Sequence, residues 1–132
     1  MTIYGVGIDV VHVARISRLR RSSDRFSRHW FTAGEISECG AAAQPDFAYA
    51  ERLAAKEAVW KALRLEGWPG SVPWRLIGTV REGTHARVRL AGEVAEHVHA
   101  AGIDTIMVDW LVADHVAVAV AIAESAPSQP GN

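Results

Sequence analysis

The sequence predicts an α+β domain. Three observations favour this class: an apolar, β-branched first segment, a long central segment of helix formers, and two pairs of strand-like segments near the end. The 132 residues suit one domain with one hydrophobic core. We therefore expect a single domain over 1–124 and a flexible, polar tail over 125–132.

The first third of the chain is expected to form a strand and then short helices. Residues 2–11 are almost continuously apolar, which is typical of a strand buried on both faces. Residues 13–28 have weak helical spacing that is interrupted near the sequence SSD. Thr32 and Glu35 match a capping box, so another helix should begin there.

A long helix is expected at about 47–65, because Ala, Leu, Glu, Lys and Arg dominate that segment. Asp46 is its expected N-cap, and Gly67 marks its expected end. The remaining residues alternate between strand patterns and one amphipathic helix. The predicted strands are 74–81, 86–91, 105–112 and 115–124, and the predicted helix is 91–102.

Composition excludes several classes of protein. The formal net charge of −1 gives no overall signature of nucleic-acid binding. A single cysteine, Cys39, excludes an internal disulfide framework and a cysteine-rich zinc site. The apolar first segment contains Asp9 and has no basic region before it, and no apolar run approaches the ~18 residues of a membrane span. We expect a cytoplasmic protein without membrane or nucleic-acid partners.

Arginine is concentrated in residues 15–28, which contain six arginines and one acid, Asp24. This pattern is compatible with a solvated helix face. It is also compatible with a docking surface for an acidic partner, because the forked guanidinium suits carboxylate and phosphate. The candidate docking residues are Arg15, Arg18, Arg21, Arg25 and Arg28.

Asp9 interrupts the apolar first strand, where a lone carboxylate is costly. It could pair with an arginine at the strand end, or it could be a metal ligand or an acid at a phosphate site. Gly5 and Gly7 lie on the same predicted face and would allow close approach of another backbone.

The central helix carries both lysines of the chain, Lys56 and Lys61, with Glu57 between them. Glu57 and Lys61 are four residues apart and share a face, as a surface ion pair would. Mg²⁺ usually binds one or two carboxylates together with substrate phosphates. Asp9 and Glu57 could supply the carboxylates, while the lysines supply compact positive charge for a pyrophosphate.

Three segments of the chain resemble a known family. The sequences GVGIDVVHVARI (5–16), RFSRHWFTAGEI (25–36) and RLAAKEAVWKAL (52–63) are similar to the holo-[acyl-carrier-protein] synthase family of small 4'-phosphopantetheinyl transferases. The resemblance extends over roughly residues 3–124. It implies a small antiparallel sheet packed on a long helix. It also implies Mg²⁺-dependent transfer of phosphopantetheine from coenzyme A to a serine of an apo acyl carrier protein.

The resemblance also implies roles for individual residues. Asp9 and Glu57 match the metal-binding acids, and they form the expected catalytic set together with Lys61. Arg52 and Lys56 match further residues of the same helix, so they are expected to bind coenzyme A with Lys61. Lys56 could instead belong to a structural pair.

Three further expectations follow from the same resemblance. Glu35 falls on a family acid near the site, and the arginines of 15–28 fall on the region that docks the acidic carrier protein. The family is typically a homotrimer with active sites at subunit interfaces.

One segment departs from the family pattern. A Ser/His segment is expected at 108–112, where Asp109 and Leu111 replace serines and Val112 replaces the histidine. Val112 cannot donate a hydrogen bond to a phosphate. This departure leaves an alternative open: a diverged member that binds a carrier protein without phosphopantetheinyl transfer. Such a member would be a scaffold or would have altered chemistry on carrier-bound acyl chains.

Overall fold

The computed structural model describes residues 1–127. Its strands are β1 (Thr2–His12), β2 (Ile77–Glu82), β3 (His85–Leu90), β4 (Ile103–Ala113) and β5 (Val116–Ser125). Its α-helices are α1 (Val13–Ser22), α2 (Arg25–Trp30), α3 (Ala33–Gly40), α4 (Pro45–Ala62) and α5 (Gly92–Ala100). A short 3₁₀ helix, Trp74–Leu76, precedes β2.

The strands form two antiparallel sheets. In the larger sheet β5 lies in the centre, between β1 and β4, and the long helix α4 packs against one face. β2 and β3 form a separate hairpin. The α+β class and the small antiparallel sheet on a long helix, both predicted from the sequence, are confirmed.

Two glycines determine how closely β1 approaches α4. A Cβ at Gly7 would overlap the carbonyl oxygen of Ala58 and lie 3.0 Å from the backbone nitrogen of Ala62. A Cβ at Gly5 would overlap the carbonyl oxygen of Ala62. Glycine is therefore required at both positions, because strand and helix backbones are in direct contact. The close approach expected at these glycines is to the protein's own helix.

The side chains between the sheet and α4 are small. Every second residue of β5 from Ala117 to Ala123 is a buried alanine on the face towards the helix. Larger side chains complete the core, among them Phe31, Leu53 and Ile77, which are fully buried. The helix therefore lies close against the central strand as well as against β1.

The other face of the large sheet differs from the prediction. Residues 2–11 were expected to be buried on both faces, but β1 is an edge strand covered on one face only. Ile8 and Val10 on its other face are 60% and 52% exposed in the single chain. An apolar strand therefore does not by itself show that both faces are covered within one chain.

The bounds of α4 also differ from the prediction. The helix begins at Pro45, and Asp46 is not its cap, because that carboxylate accepts hydrogen bonds from Ser17 and Arg20. The helix ends at Ala62, five residues before Gly67, and Arg64 takes a left-handed conformation with φ of 57°. Proline suits the first helical position because it has no backbone N–H to leave unpaired, and a left-handed residue commonly follows a helix end. The helix therefore begins and ends without using the predicted N-cap, Asp46, or the predicted stop, Gly67.

The predicted flexible tail at 125–132 falls mostly outside the described residues, which end at 127. Its first residue, Ser125, closes β5 and donates a hydrogen bond to the carbonyl of Thr2. Over residues 1–127, none of the helices combines the length and apolarity that a membrane crossing requires.

We predict that Gly7→Ala lowers the free energy of unfolding by about 3 kcal/mol, because the new methyl group meets backbone atoms that cannot rotate away. Gly40→Ala is the matched control, since a Cβ there meets no atom within 4 Å. Urea unfolding followed by circular dichroism measures both. Equal stability of the two variants would show that the strand–helix contact is not tight.

Candidate active site

The contact between β1 and α4 brings together Asp9, Glu57 and Lys61. Lys61 Nζ donates to Asp9 Oδ1 at 3.0 Å and to the carbonyl oxygen of Ile8 at 3.0 Å. The Lys61 side chain is 50% exposed, whereas that of Asp9 is 13% exposed. The site therefore has two carboxylates on its inner side and a cationic head that solvent can reach.

The carboxylates of Asp9 and Glu57 are close enough to perturb each other. Burial, and then the neighbouring Asp9, raise the pKa of Glu57 to about 8, against smaller opposing effects of Arg15 and Lys61. Asp9 Oδ2 is buried and has no hydrogen-bond partner among residues 1–127. Lys61 reaches Oδ1 of Asp9, so the two adjacent acids share one ammonium group and Oδ2 of Asp9 is left without a donor.

This arrangement fits a hard divalent cation such as Mg²⁺. The orphaned Asp9 oxygen and the adjacent Glu57 carboxylate offer oxygen ligands, which Mg²⁺ prefers. Over the described part of the chain, no group of three or more His, Cys, Asp or Glu side chains could hold a metal by itself. The protein would therefore supply two carboxylates, and substrate phosphates and water would complete the coordination.

Arg52 and Lys56 lie on the other side of α4, away from Asp9. Arg52 donates to Glu38 at 2.9 Å and to the carbonyl oxygen of Thr79 at 2.9 Å. Lys56 Nζ is fully buried between Glu35 Oε1, at 2.7 Å, and the carbonyl oxygen of Ile77, at 2.6 Å. The structure does not bring these two cations to the acid pair, and their contacts are those of structural residues.

Glu35 is the centre of this second cluster. It closes the capping box with Thr32 at the start of α3, accepts from both the backbone and the hydroxyl of Thr79, and pairs with Lys56. Burial lowers the pKa of Lys56, although the contact with Glu35 opposes this shift. Through these contacts the pair joins α3, α4 and β2. Removing either partner would leave the other as an unpaired buried charge, which is strongly destabilising.

The five candidate docking arginines are all exposed on α1 and α2. The sixth arginine of the segment, Arg20, differs because it pairs with Asp46 at the start of α4. Arg15 is close enough to Glu57 to lower the pKa of that carboxyl, so the arginine surface begins beside the acid pair.

The residues that depart from the family pattern do not face the acid pair. Asp109 pairs in register with Val120, on the sheet face turned away from α4, and Leu111 lies on that same face. Val112 points to the helix side but lines a cavity with Phe47 at the start of α4. Within residues 1–127 of one chain, none of these three residues pairs with the side chains of Asp9, Glu57 or Lys61.

Comparison with known proteins identifies the family. The family model of the 4'-phosphopantetheinyl transferase superfamily matches residues 5–120. The chain belongs to this superfamily.

Two curated relatives and one solved structure illustrate the similarity. A holo-[acyl-carrier-protein] synthase of Moorella thermoacetica is 34% identical over 95% of this chain and 97% of its own length. One from Anaeromyxobacter dehalogenans (strain 2CP-C) is 37% identical over 94% of this chain and 98% of its own. The crystal structure of holo-[acyl-carrier-protein] synthase from Neisseria meningitidis superposes with a TM-score of 0.85 at 28% identity, covering 94% of this chain and all of that one.

Sequence reasoning missed three features of this transferase. Thr79 holds Glu35 through its backbone and hydroxyl groups, and the Ile8 carbonyl holds Lys61. No sequence signal could have found the Ile8 carbonyl, because every residue of the chain offers the same backbone group. A cavity of about 570 Å³ beyond the end of α4, lined by Arg64 and Trp68 among others, was also missed.

We predict that the stability of the metal-free transferase falls relative to Glu57→Gln as pH rises from 5 to 8. The unfolded carboxyl loses its proton near 4.5, whereas the folded one holds it to about 8, so raising the pH across this window favours unfolding. Thermal unfolding in EDTA at several pH values measures the difference. Glu66→Gln, at an exposed position, is the control; parallel profiles of wild type and Glu57→Gln would contradict the assignment.

Proposed function

We propose that the protein transfers 4'-phosphopantetheine from coenzyme A to a serine of an apo acyl carrier protein, with Mg²⁺ as cofactor. The observation that carries this proposal is the cluster of Asp9, Glu57 and Lys61, which combines two adjacent, partly buried acids with a solvent-accessible ammonium group. Membership of the transferase superfamily supports the same reaction. Mg²⁺ held by Asp9 and Glu57 would neutralise charge on the diphosphate of coenzyme A.

The two side chains of α4 have separate tasks in this mechanism. Lys61 is anchored by Asp9 and the Ile8 carbonyl, and its exposed ammonium can also bind a phosphate oxygen. The Glu57 carboxylate accepts the proton of the attacking serine hydroxyl. The raised pKa of about 8 applies to the metal-free pair of acids; Mg²⁺ held by Asp9 and Glu57 would lower it, so that Glu57 is ionised and able to accept a proton.

The bond changes are those of a single displacement at phosphorus. The serine Oγ forms a bond to the phosphorus that carries the pantetheine. The bond from that phosphorus to the bridging oxygen breaks, and adenosine 3',5'-bisphosphate leaves with the electron pair. Catalysis then consists mainly of positioning and charge stabilisation, which are the contributions that Asp9, Glu57 and Lys61 can make.

Incubation with apo carrier protein, coenzyme A and Mg²⁺ should add the mass of phosphopantetheine to the carrier, as measured by mass spectrometry. We expect Asp9→Asn and Glu57→Gln to reduce the rate on the order of a hundredfold, because each removes charge from the reacting centre. Asp104→Asn, at an exposed position of β4, is the control and should retain the rate. Carrier binding without any mass gain would instead favour the diverged, non-transferring alternative.

The exposed arginines of α1 and α2 support docking of the acidic carrier protein. Arg15, Arg18, Arg21, Arg25 and Arg28 have no ion-pair partner among residues 1–127, so their charge is available to a partner. The surface adjoins the acid pair through Arg15, which would place a docked carrier serine near Glu57. Opposite charge on the partner would accelerate encounter and fix its orientation.

Reversing the charge with Arg18→Glu and Arg21→Glu should raise KM for the carrier about tenfold and leave KM for coenzyme A unchanged. The effect should shrink at high salt, because screening weakens the docking of the wild type. Arg75→Glu, on the short helix before β2, is the matched control. If KM for coenzyme A rose instead, these arginines would belong to the nucleotide site.

A homotrimer is also part of the proposal, and the uncovered face of the large sheet supports self-association. The strand register places three rows on this face: Val6–Ile122–Met107, Ile8–Val120–Asp109 and Val10–Val118–Leu111. Six of these nine side chains are apolar and 39–60% exposed. Asp109 is the single charge of the three rows, and it lies on the edge strand β4, at the border of the apolar area. An apolar face of this kind marks a protein interface.

We predict that the wild type has a mass of three chains of 14.3 kDa by light scattering. Val120→Asp introduces a charge at the centre of the apolar face, so it should give single chains that retain their circular dichroism spectrum. His99→Asp, at an exposed position of α5, controls for added charge. A monomeric wild type, or a trimeric Val120→Asp, would contradict this interface.

The cytoplasmic location and the lack of nucleic-acid partners stay predictions from the sequence.

A further inference from the structure

Arg64 has a backbone conformation that its residue type does not favour. Among residues 1–127, three residues other than glycine have positive φ: Arg64, Asp114 and His115. Asp114 and His115 form the tight turn between β4 and β5, and Asp and His are both enriched in the left-handed region. Arg64 follows the end of α4, where glycine is the usual residue. An unfavoured backbone conformation of this kind points to a use for the arginine side chain.

The side chain of Arg64 is available to a ligand. It is exposed, its guanidinium lies 5.6 Å from the centre of the Tyr4 ring, and none of the ion pairs in the described residues includes it. It also lines the cavity of about 570 Å³, which is within the usual size range of small-molecule sites. The left-handed turn thus presents an unpaired cation at a cavity.

The other walls of this cavity suit a nucleoside. Trp68 lines it and offers an aromatic surface for a base. Glu93 and Glu96 of α5 also line it, and their carboxylates can accept hydrogen bonds from ribose hydroxyls or an exocyclic amine. These acids repel phosphate, so an anionic group in this cavity would bind on the side of Arg64.

Arg64 lies one turn of chain beyond Lys61, because its backbone N–H donates to the carbonyl oxygen of Lys61 at 3.0 Å. Lys61 belongs to the reacting centre, so Arg64 is placed for the next anionic group of the same ligand. We propose that Arg64 binds the 3'-phosphate of coenzyme A and makes the enzyme select coenzyme A over 3'-dephospho-coenzyme A. A guanidinium can bind a phosphate monoester through two parallel hydrogen bonds. This inference rests on the proposed function.

The decisive variant is Arg64→Gly, which removes the guanidinium and places the favoured residue at positive φ. We expect KM for coenzyme A to rise about tenfold, KM for 3'-dephospho-coenzyme A to stay within about twofold, and kcat to change little. The thermal midpoint should equal or exceed that of the wild type, which excludes a folding defect. Arg64→Lys, which keeps the charge, should restore part of the selectivity.

Asp114→Gly is the matched control, because it also replaces a residue at positive φ but lies in the turn between β4 and β5. It should leave both KM values unchanged. Equal rises for the two substrates in Arg64→Gly, or no rise for either, would overturn the proposal.

A binding measurement separates this inference from the transfer reaction itself. Calorimetry with adenosine 3',5'-bisphosphate and adenosine 5'-monophosphate needs no carrier protein and no turnover. The wild type should bind the bisphosphate more tightly, and Arg64→Gly should lose that preference. Retained preference in Arg64→Gly, or none in the wild type, would refute the role of Arg64. If the wild type prefers the bisphosphate and Arg64→Gly does not, but the wild type transfers no phosphopantetheine, only the proposed function would be refuted.

Discussion

The direct contact between the backbones of β1 and α4 is the constraint on which the rest of the structure depends. Gly5 and Gly7 have no side chains because the carbonyl oxygens of Ala58 and Ala62 occupy that space. The contact fixes the strand against the helix in one register. Asp9 lies two residues beyond Gly7 on the strand. On the helix, Glu57 directly precedes Ala58 and Lys61 directly precedes Ala62. The same contact therefore sets the geometry of the two acids and the lysine.

The contact also explains why α4 carries charge on two separate sides. One side faces β1 and presents Glu57 and Lys61 at a partly open site. The other side is enclosed by α3 and β2, where Lys56 is fully buried against Glu35. A charge enclosed in this way must be paired, whereas a half-exposed lysine can change partners. Two lysines five residues apart on one helix thus have different physical roles.

Much of the fold was predictable from the sequence because its elements have strong local signals. The capping box at Thr32 and Glu35 formed as predicted, and the α+β order of elements is correct. The errors have physical causes. Asp46 resembles an N-cap but bonds to Ser17 and Arg20 of α1. The helix α4 ends at Ala62, two residues before a left-handed arginine, and the sequence carries no stop signal there. At Asp46, long-range contacts override the local preference.

For the site, the sequence alone determined which residues carry charge suited to phosphate chemistry and which family they resemble. Only the tertiary structure decided how these charges are divided. It placed Asp9 with Glu57 and Lys61, and it enclosed Arg52 and Lys56 on another side of α4. It also placed Arg64 in the lining of a cavity that no sequence motif indicated. The physical reason is that helical spacing fixes directions around one axis, while the neighbour that each direction meets depends on strand register and on how closely two backbones can approach.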